Sequence, residues 1–264
     1  MPRVLHPADW RLINGDLLEA LPARLARARG NADARLLAGA DWLLRRKRDG
    51  RFLAVRRGDQ VIELRRGAIP ETLRDELVEL AAADAAGEAE RPVSGLLSRL
   101  QSLGLDQEAY ARDTGLELVA EPCVLAYAGR DRYQRPLWLR AIAARAWRDL
   151  RTAAAAEGIE LEAISGYRSH DYQLGIFQRK IARGQAVEDI LQVNAAPGFS
   201  EHHGGLALDL SAPGEPAAEE SFEATAAFAW LQARAADFGF EMSYPRGNHH
   251  GIDYEPWHWR HCGA

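Results

Sequence analysis

Apolar positions recur every three or four residues through Trp138, Ile142, Ala146, Leu150 and Ala153. This spacing predicts a long helix with one buried face, opened by Pro136, running to Glu157 and ended by Gly158. Ile159-Glu160-Leu161-Glu162-Ala163-Ile164 then alternates apolar and polar residues, as a half-buried strand does. Ser165-Gly166-Tyr167-Arg168-Ser169 turns the chain into a helix from about His170 to Arg183, and Val187–Leu191 reads as a further short helix. Leu206-Ala207-Leu208-Asp209-Leu210 again has period two, so its leucines face a core while Ala207 and Asp209 share the opposite face. A last helix is expected from Phe222 to Phe238, stopped by Gly239.

The first part of the chain carries a different pattern. Leu36–Leu44 is helix-like despite Gly39. Arg51–Val55 and Gln60–Leu64 flank Arg57-Gly58-Asp59 and read as a β-hairpin. Pro70 sits in the first turn of a helix expected to reach about Ala86, and a short helical segment follows from Val93 to Leu103. Leu116–Val119 reads as a strand that begins a second unit. The expected organisation is therefore a smaller mixed α/β N-terminal domain over residues 1–115 and a second domain over 116–264. Residues 1–115 carry no chemical constellation, internal repeat or low-complexity segment.

Composition narrows the class. Hydrophobic residues make up 47% and charged residues 27%, enough for a packed core and against disorder. The net charge is -5, and the one basic run, Arg45-Arg46-Lys47-Arg48, reads as a solvated helix end, so nucleic acid is not an expected partner. The two cysteines, Cys123 and Cys262, form no CxxC pair. No apolar run approaches the ~20 residues of a membrane span. With no visible signal peptide, the cytoplasm is the expected compartment.

The chemistry concentrates late in the chain. Six of the eight histidines lie between 202 and 261. His202, Asp209 and His258 form a set of two imidazoles and a carboxylate, which can hold one zinc ion with a position left for water. Glu255, three residues before His258, is free to move protons. Gly204-Gly205 disfavours a helix at His202, so that ligand is expected from a loop. Pro256 biases Glu255 to extended backbone, and residues three apart on a straight strand face opposite ways. Glu255 and His258 can serve one ion only if the chain bends between them. Other readings compete: His203, His249, His250 or His261 could be the ligand, Cys262 could join the set, Asp209 could cap a turn, and Arg168 could make a structural salt bridge.

The pattern S-x-H-x-x-G-x-A-x-D at Ser200–Asp209, followed by E-x-W-H-x-R at Glu255–Arg260, resembles the zinc D-alanyl-D-alanine carboxypeptidases of the VanY type, in the LAS group of peptidases. Ser165-Gly166-Tyr167-Arg168-Ser169, with Gln173 after it, resembles that family's S-G-Y-R-S segment. The resemblance spans about residues 118–264. It implies an α+β fold: a mainly antiparallel sheet with packed helices, as in hedgehog and D,D-peptidase domains. It implies zinc on His202, Asp209 and His258, Glu255 as catalytic base, and Arg168 at the substrate's carboxylate or the developing oxyanion. It places Gln173 and Ser200 at the terminal residue of the substrate. The implied activity is removal of a C-terminal D-alanine, across a D,D or L,D bond, from a peptidoglycan peptide or muropeptide. A wall endopeptidase of the same group and a zinc-stabilised binding module without catalysis are the alternatives.

Overall fold

The structure is a computed structural model that describes residues 10–28, 30–64, 69–82, 89–93 and 95–263. The chain begins with β1 (Arg11–Asn14), β2 (Leu18–Pro22), α1 (Asn31–Ala38), β3 (Trp42–Arg46), β4 (Phe52–Arg57) and β5 (Gln60–Glu63). Three helices follow: α2 (Arg74–Ala82), α3 (Leu96–Gln101) and α4 (Gln107–Thr114). Next come β6 (Val124–Arg130), β7 (Pro136–Leu139), α5 (Ala141–Ala156), β8 (Glu162–Ser165), α6 (His170–Ile181) and α7 (Val187–Gln192). The chain closes with β9 (Ala207–Ser211), α8 (Ala226–Arg234), β10 (Phe240–Met242) and β11 (His258–His261).

These strands form two antiparallel sheets, ordered β5-β4-β3-β2-β1-β6-β7 and β10-β11-β9-β8. The fold is α+β with mainly antiparallel sheets, as expected. Helix α5 joins the two sheets. Its buried stripe, Ala143, Ala144, Trp147, Leu150 and Ala154, packs with Leu137 and Leu139 of β7 and with Leu208 and Leu210 of β9. The two leucines of β9 thus face the core and leave Ala207 and Asp209 on the other face. The seven-stranded sheet is covered on one side by α2 and the 3-10 turn before it, through Leu73, Leu77 and Leu80 against Ile13, Leu18, Leu44 and Leu53. On its other side Leu12, Leu21, Leu43 and Val55 share a core with Leu125 and Trp138. Strands from both sides of position 115 lie in this one sheet, because β1 pairs with β6.

Several local expectations are corrected. The helix predicted from Pro136 begins at Ala141, and Pro136–Leu139 is a strand. Leu137 and Leu139 enter one core and Trp138 the other. A short run buried on both faces has no periodicity that separates strand from helix. Leu36–Leu44 divides at Gly39 into the end of α1 and the start of β3. Leu116–Val119 belongs to no strand; Val119 N–H instead donates to Gly198 O at 2.9 Å. The helix from Phe222 is broken at Thr225, whose hydroxyl accepts from Phe228 N–H at 3.1 Å and caps α8. Of the helix expected to Ala86, residues 83–86 lie outside the described residues.

The basic run is not a solvated helix end either. Arg45 lies on β3 and pairs across the sheet with Glu19 at 2.5 Å. Lys47 turns inward, its side chain 1% exposed, and forms an ion pair with buried Glu121. A charge buried this deeply requires a partner and further hydrogen bonds. Lys47 Nζ also donates to Gly15 O at 2.8 Å, while Glu121 accepts from Asn14 Nδ2 at 3.0 Å and Tyr167 OH at 2.6 Å. Burial pushes the Glu121 carboxyl upward, but the charges of Lys47 and His170 and these hydrogen bonds prevail and bring it from 4.5 to about 2.

A carboxylate with a depressed folded pKa stabilises the fold above its unfolded value, and that stability is lost as pH falls through the folded value. Urea melts of the wild type should therefore lose stability between pH 4.5 and about 2, and Glu121→Gln should flatten that fall. An equal pH slope in the variant would show that Glu121 is not a source of it.

Candidate metal centre

Asp209 projects from β9, and β11 lies beside it in antiparallel register with His258 opposite Asp209. Adjacent antiparallel residues have side chains close enough to share one ligand. His202 comes from a 3-10 turn at Glu201–Gly204, so the local structure is a tight helical turn and not an open loop. Gly205 closes that turn with φ +68, and a Cβ there would stand 3.2 Å from the Arg140 backbone nitrogen and closer still to Leu125. Glycine is the residue that fits this left-handed, crowded position.

Ligand atoms of His202, Asp209 and His258 all lie within 4.8 Å of one another, and all three residues are buried. His202 Nε2 is 3.3 Å from Asp209 Oδ1, and His258 Nδ1 is 3.2 Å from the same oxygen. Two ligands of a tetrahedral ion with bonds of about 2.0–2.1 Å stand ~3.3 Å apart, so this donor set fits one such ion. The imidazole nitrogens are pre-assigned. His202 Nδ1–H donates to Gly166 O at 2.7 Å, which leaves Nε2 as the free lone pair. His258 Nε2 is held by Glu201 Oε2 at 2.8 Å, which leaves Nδ1 facing Asp209. This is the support that metal-binding histidines ordinarily have from carboxylates and carbonyls.

The bend required before His258 is present as a turn. His258 N–H donates to Glu255 O at 3.1 Å, and Pro256 and Trp257 form the corner. It folds the Glu255 carboxylate back to 3.8 Å from His258 Nδ1. Trp259 locks the corner by donating Nε1–H to Pro256 O at 3.0 Å while its ring enters the core.

The carboxylates of the centre diverge. Burial raises Glu255 to about 7; the charges of Asp209 and Glu201 push the same way, and His258 and Arg168 oppose them. Burial also pushes Glu201 upward, but hydrogen bonds from His258 and Ser243 and the charges of His258 and Arg260 bring it to about 2. Asp209, likewise opposed by burial, is held well below the carboxylate range by His202 and His258. Burial lowers His258, yet its hydrogen bonds to Asp209 and Glu201 outweigh it and raise the ring to about 10. A cation on Nδ1 would replace one of that ring's protons.

Arg168 reaches the centre from the Ser165–Ser169 segment, with its guanidinium 3.5 Å from Asp209 Oδ2. Gln173 is fully buried and holds Arg168 in place: its Oε1 accepts from Arg168 at 3.0 Å and its Nε2 donates to Ala195 O at 2.8 Å. Ser200 is buried immediately before the turn that carries His202. A groove of about 640 Å³ borders the same segment, walled by Leu21, Leu43 and Arg45 of the N-terminal strands and by Trp138, and Arg168 lines it.

The competing histidines have other roles. His203 Nδ1–H donates to Arg168 O at 2.6 Å and its Nε2 accepts from Gly198 N–H at 3.0 Å, so both nitrogens are engaged by backbone. His250 is bonded to Thr114 O, His261 packs on Phe240, and His249 is exposed. Cys262 is not in the ligand cluster. Glu201 is the residue that sequence reasoning missed. Its position beside His202 was visible, but its partner is 57 residues away in sequence.

Two buried imidazoles and a buried carboxylate that could hold one cation thus stand on an antiparallel sheet of an α+β domain, beside a carboxyl raised to about 7. Residues 136–264 match the model of the family described as VanY, D-alanyl-D-alanine carboxypeptidase. Over 130 residues it is 38% identical to the putative carboxypeptidase YodJ of Bacillus subtilis (strain 168), covering 48% of this chain and 47% of that one. It is 34% identical over 125 residues to a D-alanyl-D-alanine carboxypeptidase of Enterococcus faecalis, covering 44% of this chain and 45% of that one. The chain spans about half the length of these curated relatives. Among solved structures, the LdcB LD-carboxypeptidase has 35% identity and a TM-score of 0.48, covering 51% of this chain and 65% of that chain. A vancomycin-resistance D,D-pentapeptidase VanY, solved with Zn(II), has 31% identity and a TM-score of 0.41, covering 48% and 74%.

Glu201→Ala should weaken divalent-cation binding about 10- to 100-fold by freeing His258 Nε2. Competition against a chromogenic chelator reads this directly, and wild-type affinity in the variant would mean that His258 is held by other contacts.

Proposed function

We propose that the protein is a zinc-dependent carboxypeptidase that hydrolyses the C-terminal D-alanine peptide bond of peptidoglycan-derived peptides, D,D or L,D. The observation that carries this reading is the convergence of His202, Asp209 and His258 on one point with the Glu255 carboxylate 3.8 Å from His258. The match of residues 136–264 to the D-alanyl-D-alanine carboxypeptidase family model supports the substrate class.

His202 Nε2, Asp209 Oδ1 and His258 Nδ1 would hold the ion. When bound, zinc supplies a coordinated water with a pKa near 7 and polarisation of the scissile carbonyl. Glu255 is the proton carrier: a carboxyl poised at about 7 can take a proton from the attacking water at neutral pH and deliver it to the leaving amine. Arg168, with its planar fork held by Gln173, binds the substrate's terminal carboxylate or the developing oxyanion. Gln173 acts through Arg168, since both ends of its amide are engaged within the protein. Ser200 contributes beside the ligand turn. Trp257 and Trp259 limit water at the corner that carries Glu255.

Mass analysis of wall-derived peptides incubated with the zinc-loaded protein tests the assignment. Loss of a single terminal alanine is expected; paired substrates ending in a D,D or an L,D bond separate the two specificities. Internal cuts would reassign the protein as an endopeptidase, and intact peptides would leave a binding module.

Two variants divide the roles. Glu255→Ala should keep its zinc and lose at least ~10²-fold in kcat. His202→Ala should lose zinc itself, measured by elemental analysis after dialysis. Full activity in the first would remove the assigned base, and full zinc content in the second would move the ligand elsewhere.

A further inference from the structure

Glu121 is a buried carboxylate that the proposed chemistry does not use, and its contacts join two distant parts of the chain. Its Oε2 faces Asn14 of β1 and Lys47 in the turn that follows β3. The same oxygen accepts from Tyr167 OH at 2.6 Å, and Oε1 accepts from His170 N–H at 2.8 Å. Asn14 Nδ2 also donates to Tyr167 OH at 2.8 Å. Tyr167 and His170 bracket Arg168 and Ser169, so the carboxylate grips both ends of the stretch that delivers Arg168 to Asp209.

That stretch has little freedom elsewhere. Gly166 O accepts from His202, Arg168 N–H donates to His202 O at 3.2 Å, and Arg168 O accepts from His203. A displacement of Tyr167 would therefore pass to the ligand turn as well as to Arg168. Glu121, Lys47 and Asn14 all precede residue 136, outside the segment that matches the family.

We infer that Glu121, held by Lys47 and Asn14, is a positioning residue that uses the N-terminal sheet to fix Tyr167 and Arg168 at the metal centre. Lys47 makes no hydrogen bond or ion pair with Arg168, although both line the same groove. Its side chain is 1% exposed, and its bonds go to Gly15 and Glu121. Its one link to the Tyr167–His170 stretch among these bonds runs through Glu121. The kinetic part of the test rests on the carboxypeptidase reading; the structural part does not.

Lys47→Met, Tyr167→Phe and the double variant are compared in the full-length, zinc-loaded protein, well below the melting temperature of each. Each single change should lower kcat/KM about 10- to 100-fold on a D-alanine-ended peptide, with zinc content unchanged. The double variant should be no worse than the poorer single, because both changes break one chain of contacts. Hydrogen exchange of residues 166–170, followed by mass spectrometry, should quicken in both singles. Wild-type kcat/KM and wild-type exchange in these variants overturn the inference, even if their melting temperatures fall, and so do additive kinetic losses. If Lys47→Met does not fold, Asn14→Ala takes its place. If the wild type hydrolyses no such peptide, the carboxypeptidase reading fails, and exchange at 166–170 alone decides for or against positioning.

Discussion

Which nitrogen an imidazole offers to a cation, and in what direction, is set by the hydrogen bond its other nitrogen makes. In this protein that bond is made twice and by different means. Gly166 O fixes the His202 ring, and the Glu201 carboxylate fixes His258. The two remaining nitrogens, His202 Nε2 and His258 Nδ1, then meet at Asp209 Oδ1, at 3.3 and 3.2 Å. The centre thus depends on two supports that bind no metal. Gly166 itself is tightly constrained: a Cβ there would stand 3.0 Å from Trp138 O and 2.8 Å from Leu137. The β7 strand, the Ser165–Ser169 segment and the turn that carries His202 are consequently in one stack of backbone contacts, in which a small shift of any layer moves the lone pair of His202.

The same geometry sorts the acids. Glu201 and Glu255 are both half-buried near His258, yet one falls to about 2 and the other rises to about 7. The difference is in donors. Glu201 accepts from Ser243 at 2.6 Å and Arg260 at 3.1 Å and pairs with the His258 ring at 2.8 Å. Glu255 stands 3.8 Å from that ring, and the nearby carboxylates of Asp209 and Glu201 weigh against its ionisation. Two carboxyls set apart in this way can divide structural and proton-carrying roles near neutral pH.

Much of this centre was legible in the residues. The period-two run at Leu206–Leu210 placed Asp209 away from the core, and the spacing of Glu255, Pro256 and His258 demanded a bend that is present as a turn. Other features were illegible for a common reason: their cause lies far away in sequence. Pro136–Leu139 reads as the start of a helix until two separate cores claim its alternate side chains. Lys47 reads as a solvated charge in a basic run, and only the fold brings Glu121 to it across 74 residues. Asp106, by contrast, is a purely local cap for α4, accepting from Ala109 N–H at 2.8 Å, and an aspartate three residues before that donor is a signal legible in the sequence.

The N-terminal strands bear on the centre more closely than a division near residue 115 suggests. The family segment starts at residue 136, which is the first residue of β7, yet β7 is the edge of a sheet whose other six strands all precede it. Leu12, Leu43 and Val55 share a core with Leu125 and Trp138, so the surface that supports the Tyr167 backbone through Trp138 O is built jointly. Without β1, β6 would present an unpaired edge, which folded proteins avoid or cover. Without Lys47, Glu121 would remain a buried charge lacking its cation, the costly half of a broken ion pair. The strands therefore complete a sheet edge and neutralise a buried acid at once, and both effects act on the segment that carries Arg168.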